Sequence, residues 1–284
     1  LHLYVRALTD IGDGTREDAL AACAAAAPLA QALAAIDLAL WDMAGQRAEK
    51  PVWALLGAQK APSVQCNATI GAEEPARAAA EASVAVAAGF RCVKVKVGDP
   101  RSRERVDAVR AAIGPEVALR LDANGAWSGE DAVQRLAALA EARPELCEEP
   151  VHGVAALAQV ARASPRVRLA ADESCADPSL LSSRICHSVC LKISRAGGIT
   201  GLLGQAAMAR RAGYEVYLAS TLDGPLGIAA ALHAAAAIDP DRPCGLATLE
   251  RFAPPAPLAP RGGTLTPPVG AGLGSGLAGW YEGL

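Results

Sequence analysis

The 284-residue chain has no Cys-x-x-Cys pair and no Cys/His cluster at zinc spacing. Its eight cysteines are scattered, Cys186 and Cys190 being the nearest two. They read as reduced, mostly buried thiols of a cytoplasmic protein. Aromatic residues are few, 4 Trp, 4 Tyr and 2 Phe, which leaves no platform for stacking bases. With 27 Lys and Arg against 30 Asp and Glu, there is no basic surplus to meet a phosphate backbone. Nucleic acid is therefore not an expected partner. A strongly apolar run of about 18 residues is also missing, so nothing is expected to span a membrane. The nearest approach, residues 19–35, is mostly Ala and is broken by Pro28. The amino terminus lacks the basic start and apolar centre of a secretory signal. A hydrophobic fraction of 52% with 20% charged residues predicts a sizeable core rather than disorder.

From about residue 60, short β-branched runs alternate with Ala-rich helical stretches. Strands are predicted at 64–70, 92–97, 118–122, 146–148, 169–172, 188–193 and 215–219. Helices are predicted at 74–88, 101–112, 129–142, 154–163 and 200–212. This alternation implies a parallel sheet with helical crossovers. Lys96, Asp122, Glu148, Asp172 and Lys192 follow one another at intervals of 26, 26, 24 and 20 residues. Each interval is roughly one βα unit of about 30 residues, and each residue closes a strand. In an open sheet these five groups would spread along an edge. In a closed barrel they converge on one mouth, where the charges find partners. The expected fold class is α/β, a (β/α)8-type TIM barrel. The first 57 residues differ. Residues 1–14 read as a strand and turn. Residues 30–45 read as an amphipathic helix, with Leu33, Ile36, Leu40 and Met43 at helical spacing and Asp37 and Asp42 among them. The tail from 253 is rich in Pro and Gly and reads as irregular and extended.

Three carboxylates at successive strand ends, Asp122, Glu148 and Asp172, cannot share a barrel mouth without compensation, because like charges raise one another's pKa values. A hard divalent cation supplies it, and an all-oxygen set suits Mg2+ or Mn2+. Asn124, two residues after Asp122, is placed to hold a ligand or a water. Lys94 and Lys96 stand two apart on one strand and share a face. Desolvation and mutual repulsion are expected to depress an amine there into the range of a general base. Lys192 is the second isolated strand lysine, three strands on, and faces the first pair across the mouth. The segment Ser220–His233 is taken as the eighth-strand region. Within it, Asp223 either acts as an acid or substrate ligand or makes a local turn with Gly224 and Pro225. His233 reads as structural.

Several stretches in this order carry a family resemblance: Ala35-Ile-Asp-Leu-Ala-Leu-Trp-Asp42, Lys94-x-Lys96, Asp122-Ala-Asn124, Glu148-Glu-Pro150, Ala171-Asp-Glu-Ser174 and Lys192-Ile-Ser-Arg-Ala-Gly-Gly198. Together they resemble the enolase superfamily, in its muconate-lactonizing-enzyme subgroup of muconate cycloisomerases, o-succinylbenzoate synthases and mandelate racemase-like enzymes. The resemblance implies Asp122, Glu148 and Asp172 as ligands of Mg2+ or Mn2+. It implies Lys96 as acid/base, Lys94 as its tuning neighbour, and Lys192 as second base or fixed cation. Asp223, Asn124 and Thr221 would meet the substrate, a small-molecule carboxylate. An α+β capping domain built from both termini is also implied. Only 34 residues precede Ala35, so the cap is expected to be reduced or incomplete in this sequence. The corresponding division is 1–57 for the cap remnant, 58–252 for the barrel and 253–284 for a segment returning to the cap. A homo-oligomer fits the family.

Cues for the reaction diverge. Cys244-Gly-Leu-Ala-Thr248 resembles o-succinylbenzoate synthases, and the Gly227–His233 run resembles cycloisomerases. The expected activity is α-proton abstraction leading to cycloisomerisation or elimination. Dipeptide epimerisation, a Schiff-base aldolase and a non-catalytic carboxylate-binding barrel are the alternatives. Of these, the aldolase would not need three carboxylates at successive strand ends.

Overall fold

The computed structural model describes residues 2–12, 14–163, 166–182, 184–252 and 257–282. Helices α1 (His2–Ile11), α2 (Arg16–Ala26), α3 (Ala30–Arg47) and the single turn α4 (Val52–Leu55) come first. Then follow β1 (Val64–Gln65), β2 (Ala68–Ile70), α5 (Pro75–Ala87), β3 (Cys92–Lys96), α6 (Ser102–Ile113), β4 (Ala118–Asp122), α7 (Gly129–Leu139), β5 (Leu146–Glu148), α8 (Val154–Ala163) and β6 (Leu169–Ala171). The series continues with β7 (Ser188–Lys192), α9 (Ile193–Ala196), α10 (Ile199–Arg211), β8 (Glu215–Ala219) and α11 (Pro225–Ile238). The tail adds β9 (Thr264–Leu265), antiparallel to β1, and α12 (Gly279–Glu282). Among the described residues, no helix is long and apolar enough to cross a membrane.

Strands β2 to β8 form one parallel sheet in sequence order. Cys244 and Gly245 close it into a ring, bridging to Cys66 on one side and Ala219 on the other. Cys244 N donates to Gln65 O at 2.7 Å, and Gly245 N donates to Leu218 O at 2.8 Å. This pair occupies the eighth place of the expected barrel. Ser220–His233 does not. It forms the loop after β8 and the start of α11, because Pro225 sits in the first turn of a helix and an Ala-rich run continues it. Residues 2–11 also depart from the strand and turn expected at 1–14. They are helical, with Tyr4 donating its hydroxyl to Ala27 O at 2.9 Å, so packing against α2 decides the outcome over β propensity. Leu1 and Asp13, and the expected boundary at 253, lie outside the described residues.

Strand alternation sorts the barrel. Val93, Val95, Leu119, Leu121, Val189 and Leu191 join the apolar core, while Lys94, Lys96, Asp122 and Lys192 share the opposite, interior face. Charges also close the end where the strands begin. Buried Arg120 donates to Glu145 at 2.6 Å, and Arg242 binds both Glu145 and Glu215.

The two aspartates of α3 fasten it to other elements. Asp37, fully buried, accepts from Thr200 N at 3.0 Å and Thr200 Oγ1 at 2.6 Å. It therefore caps α10 from outside, and Trp41 Nε1 donates to the same Thr200 hydroxyl at 3.1 Å. Gly198 has φ +103°, and a Cβ there would lie 2.3 Å from an Asp37 oxygen. Asp42 accepts from Leu273 N in the tail at 2.8 Å. His233 is structural, as expected: Trp53 N donates to its Nδ1 at 3.2 Å, so its Nε2 donates to Leu273 O at 3.2 Å. Asp37→Ala is expected to lose about 2 kcal/mol of stability in urea unfolding, the value of hydrogen bonds to a charged acceptor. An unchanged unfolding midpoint would show that the cap is dispensable.

Candidate active site

The ends of β3, β4, β5 and β7, with Asp172 just past β6, deliver charged side chains to a common centre. Lys94 Nζ, on β3, lies 2.9 Å from Asp122 Oδ2 on β4 and 2.9 Å from Glu148 Oε2 on β5. Lys96, one pleat further, donates to Asp122 Oδ2 at 2.6 Å and to Asn124 Oδ1 at 2.6 Å. Lys192, at the end of β7, donates to Asp172 Oδ2 at 2.6 Å. Asn124 also donates to Glu173 at 3.4 Å. Arg195 stands 3.6 Å from Asp172 and 3.8 Å from Glu173. The structure thus gathers Lys94, Lys96, Asp122, Asn124, Glu148, Asp172 and Lys192. Asp122, Glu148 and Asp172 are each at most 2% exposed, whereas the Lys96 side chain is 47% exposed at the mouth.

Asp223 and Thr221 stand apart from this web. Asp223 accepts from Thr221 N and Thr221 Oγ1, both at 3.0 Å. Thr221 Oγ1 also meets Ser194 Oγ at 2.8 Å. Asp223 thus closes a local turn back onto Thr221, and not the expected one with Gly224 and Pro225.

Lys94 does not show the depression expected of an amine in this pair. Burial disfavours the Lys94 ammonium, but Glu148 and Asp122 overcome it and hold its pKa well above the ordinary lysine value. The Asp122 carboxylate lies between the two amines of the pair, within 2.9 Å of Lys94 and 2.6 Å of Lys96. Burial likewise opposes the Lys192 ammonium, and Asp172 is among the groups that hold its pKa up. Asp122 behaves in the opposite sense. Burial alone would raise its carboxyl, but Lys94 and Lys96 hold it below the usual range. Asp172 is pushed up to about 6, by burial first and then by Glu148 and Glu173, against the pull of Lys192.

Buried oxygens suit a hard cation, and Asp172 Oδ1 is buried without a hydrogen-bond donor among the described residues. Among those residues, the acid and thiol donor atoms lying mutually within 4.8 Å belong to Glu148, Asp172 and Cys190. Asp122 is not among them, and its Oδ2 accepts from Lys94 and Lys96.

Sequence reasoning gave no role to Glu149, Arg195 or Cys190. Glu149 is fully buried and accepts from Asp172 N at 2.8 Å, Ser174 N at 3.1 Å and Ser174 Oγ at 2.5 Å. It fixes the backbone that carries Asp172. The signal was the Glu148-Glu149 pair itself: a second carboxylate just past the strand end and buried there needs its own partners. Arg195 is returned over Lys192 by the single turn α9. Cys190 is two residues before Lys192, on the same face.

Comparisons with known proteins bear on the fold and the family. The family model for an enolase C-terminal domain-like fold matches residues 77–279, and that for the mandelate racemase/muconate lactonizing enzyme N-terminal domain matches residues 12–57. A D-Ala-D/L-Ala epimerase of Cytophaga hutchinsonii is 36% identical over 209 residues, covering 71% of this chain and 56% of that protein. An o-succinylbenzoate synthase of Mycobacterium tuberculosis is 41% identical over 198 residues, covering 65% of this chain and 57% of that protein. The structure of a Cytophaga hutchinsonii dipeptide epimerase with Mg and D-Ala-L-Val has a TM-score of 0.85 at 30% identity, covering 98% of this chain and 81% of that one. The chain spans 56% and 60% of the length of the first two curated relatives it matches.

Removing Glu149 should be costly. Glu149→Ala leaves two amides and a hydroxyl without their acceptor, for an expected loss of about 3 kcal/mol at roughly 1 kcal/mol or more per group. Chemical denaturation of the variant measures it. A loss under about 1 kcal/mol would mean that water replaces the carboxylate.

Proposed function

Because this chain belongs to the enolase superfamily, in its mandelate racemase/muconate lactonizing enzyme branch, we propose that it abstracts the α-proton of a carboxylate substrate and passes through an enolate. In this reading Asp122, Glu148 and Asp172 hold Mg2+, or Mn2+ in its place. The ion supplies Lewis-acid polarisation of the substrate carboxylate when bound. Lys96, half exposed at the mouth, removes the proton. Lys192 keeps its own proton and sets a fixed positive charge against the enolate from the other side. Lys94, between two carboxylates, holds Asp122 and Glu148 in place. Asn124 orients Lys96. Thr221 and Asp223, at the end of β8, contact the distal part of the substrate. Helices α1–α4 and the tail form the cap side of the molecule.

One observation carries the choice of reaction. The ion-paired centre contains four cations, Lys94, Lys96, Lys192 and Arg195, and four acids, Asp122, Glu148, Asp172 and Glu173. It is neutral as it stands. A divalent ion makes it doubly positive, or singly positive once Lys96 is uncharged and able to take a proton, which complements a dicarboxylate better than a zwitterionic dipeptide. The favoured activity is therefore a lyase or cycloisomerase of the o-succinylbenzoate synthase or muconate cycloisomerase kind. Dipeptide epimerisation is the second reading, supported by the Cytophaga epimerase at 36% identity. It would require Lys192 to give up a proton. A Schiff-base aldolase would need an unprotonated amine without need of the three carboxylates, and the surroundings of Lys94 and Lys192 favour their charged forms.

Two measurements test this reading. In calorimetry, Mg2+ affinity should fall as pH drops through about 6, because protonated Asp172 must release its proton before it can ligate. Asp172→Asn should bind weakly at every pH. Retention of wild-type affinity by the Asn or Gln variants of all three carboxylates would remove the ligand assignment. For the lysines, α-proton exchange with deuterated solvent should be followed on a dicarboxylate and on hydrophobic dipeptides. Lys96→Ala should slow exchange by about 10^2–10^4-fold, the usual contribution of a general base, and Lys192→Ala should abolish turnover. Exchange at the wild-type rate in Lys96→Ala would reverse the two roles. Exchange on dipeptides alone would favour the epimerase.

A further inference from the structure

The interior faces of β5, β6 and β7 carry one group that the proton chemistry leaves unused. Cys190 precedes Lys192 by two residues and is buried one pleat below it. Its sulfur and the carboxylate oxygens of Glu148 and Asp172 lie within 4.8 Å of one another, all three residues being buried. Among the described residues Asp172 Oδ1 accepts no hydrogen bond, and Arg195 is 3.6 Å away from it. Hard Mg2+ coordinates oxygen and passes over a thiol, whereas Zn2+ and Cd2+ bind thiolate strongly.

We propose that Glu148, Asp172 and Cys190 form a deeper binding mode for a thiophilic divalent cation, Zn2+ or Cd2+, that excludes Mg2+ because the two modes share Glu148 and Asp172. The exclusion rests on the Mg2+ reading above, and the sulfur ligation does not. Three protein donors with one open position is the donor count of an open zinc site. Zinc bond lengths of about 2.0–2.3 Å place tetrahedral donors about 3.5 Å apart. Contraction from the present spacing is within the reach of carboxylate rotation. Binding forms the metal–sulfur bond and releases the thiol proton to solvent. Lys94 then loses Glu148 as a partner but keeps Asp122. An ion in this mode sits below the carboxylate-binding position and does not support turnover.

Cd2+ is the probe. Titrated into the purified chain, it should give an ultraviolet sulfur-to-cadmium charge-transfer band that saturates at one equivalent. The band should vanish in both Cys190→Ser and Cys190→Ala, while both variants keep Mg2+ binding by calorimetry. Mg2+ at about ten times its own Kd should raise the Cd2+ half-saturation point about tenfold. A band of full intensity in both variants, or no band in a wild-type chain that binds Mg2+, overturns the sulfur ligation. Cd2+ half-saturation unmoved by bound Mg2+ overturns the shared ligands. A cysteine-dependent band in a chain that binds no Mg2+ leaves the thiol site standing and sinks the Mg2+ reading instead.

Discussion

Lys94 carries its ammonium into the barrel and stands 2.9 Å from both Asp122 and Glu148. Removing a charge of either sign from this buried web would strand its partners, at a cost of roughly 3–5 kcal/mol for a broken buried pair. The web constrains the fold because its members come from different strands. β3, β4 and β5 must be neighbours in parallel register, with Lys96 opposite Asp122 and Asp122 opposite Glu148. A slip of one residue in any strand would turn its charge into the apolar layer against the helices. The register that buries Val93, Val95, Leu119 and Leu121 is thus the one that assembles the site.

The supports of the site are polar as well. Glu149 binds the backbone on which Asp172 rides, and α3 reaches the barrel through Asp37 and Thr200. Arg105, buried, donates to the backbone carbonyl of Lys96 at 2.9 Å and of Glu73 at 2.8 Å. Each takes an otherwise unpaired backbone group at a strand or helix end and ties it to a second element. Such contacts cannot slide as apolar surfaces can, so they set position where packing sets only proximity. In the proposed chemistry, two amines must meet one carbon from opposite sides, and an ångström of slack at Asp172 or Lys96 would part them.

The barrel was legible in the sequence because its period is local. β-branched runs and Ala-rich helices alternate at nearly constant spacing, and a strand's alternation is a property of adjacent residues. Lys96, Asp122, Glu148, Asp172 and Lys192 could therefore be placed on one mouth before any contact was known. The eighth position was misplaced. Cys244 and Gly245 carry too short a pattern to announce a strand, and they are one only by virtue of Gln65 and Leu218 on either side. α1 was misread for a related reason, since its helical state depends on α2.

The sequence by itself determined the parallel α/β architecture, the order of the strands, the set of ionisable groups at their ends, and the family resemblance that their motifs carry. The tertiary structure alone decided how those groups pair. Lys94 is shared by Asp122 and Glu148, which hold its pKa up, and Lys96 meets Asp122 and Asn124. Asp223 closes on Thr221. Cys190 comes within reach of Glu148 and Asp172. A one-dimensional pattern fixes which face a side chain takes, because alternation is set by the backbone. The sign and size of a charge's environment depend on partners tens of residues away, whose distances exist only once the ring has closed.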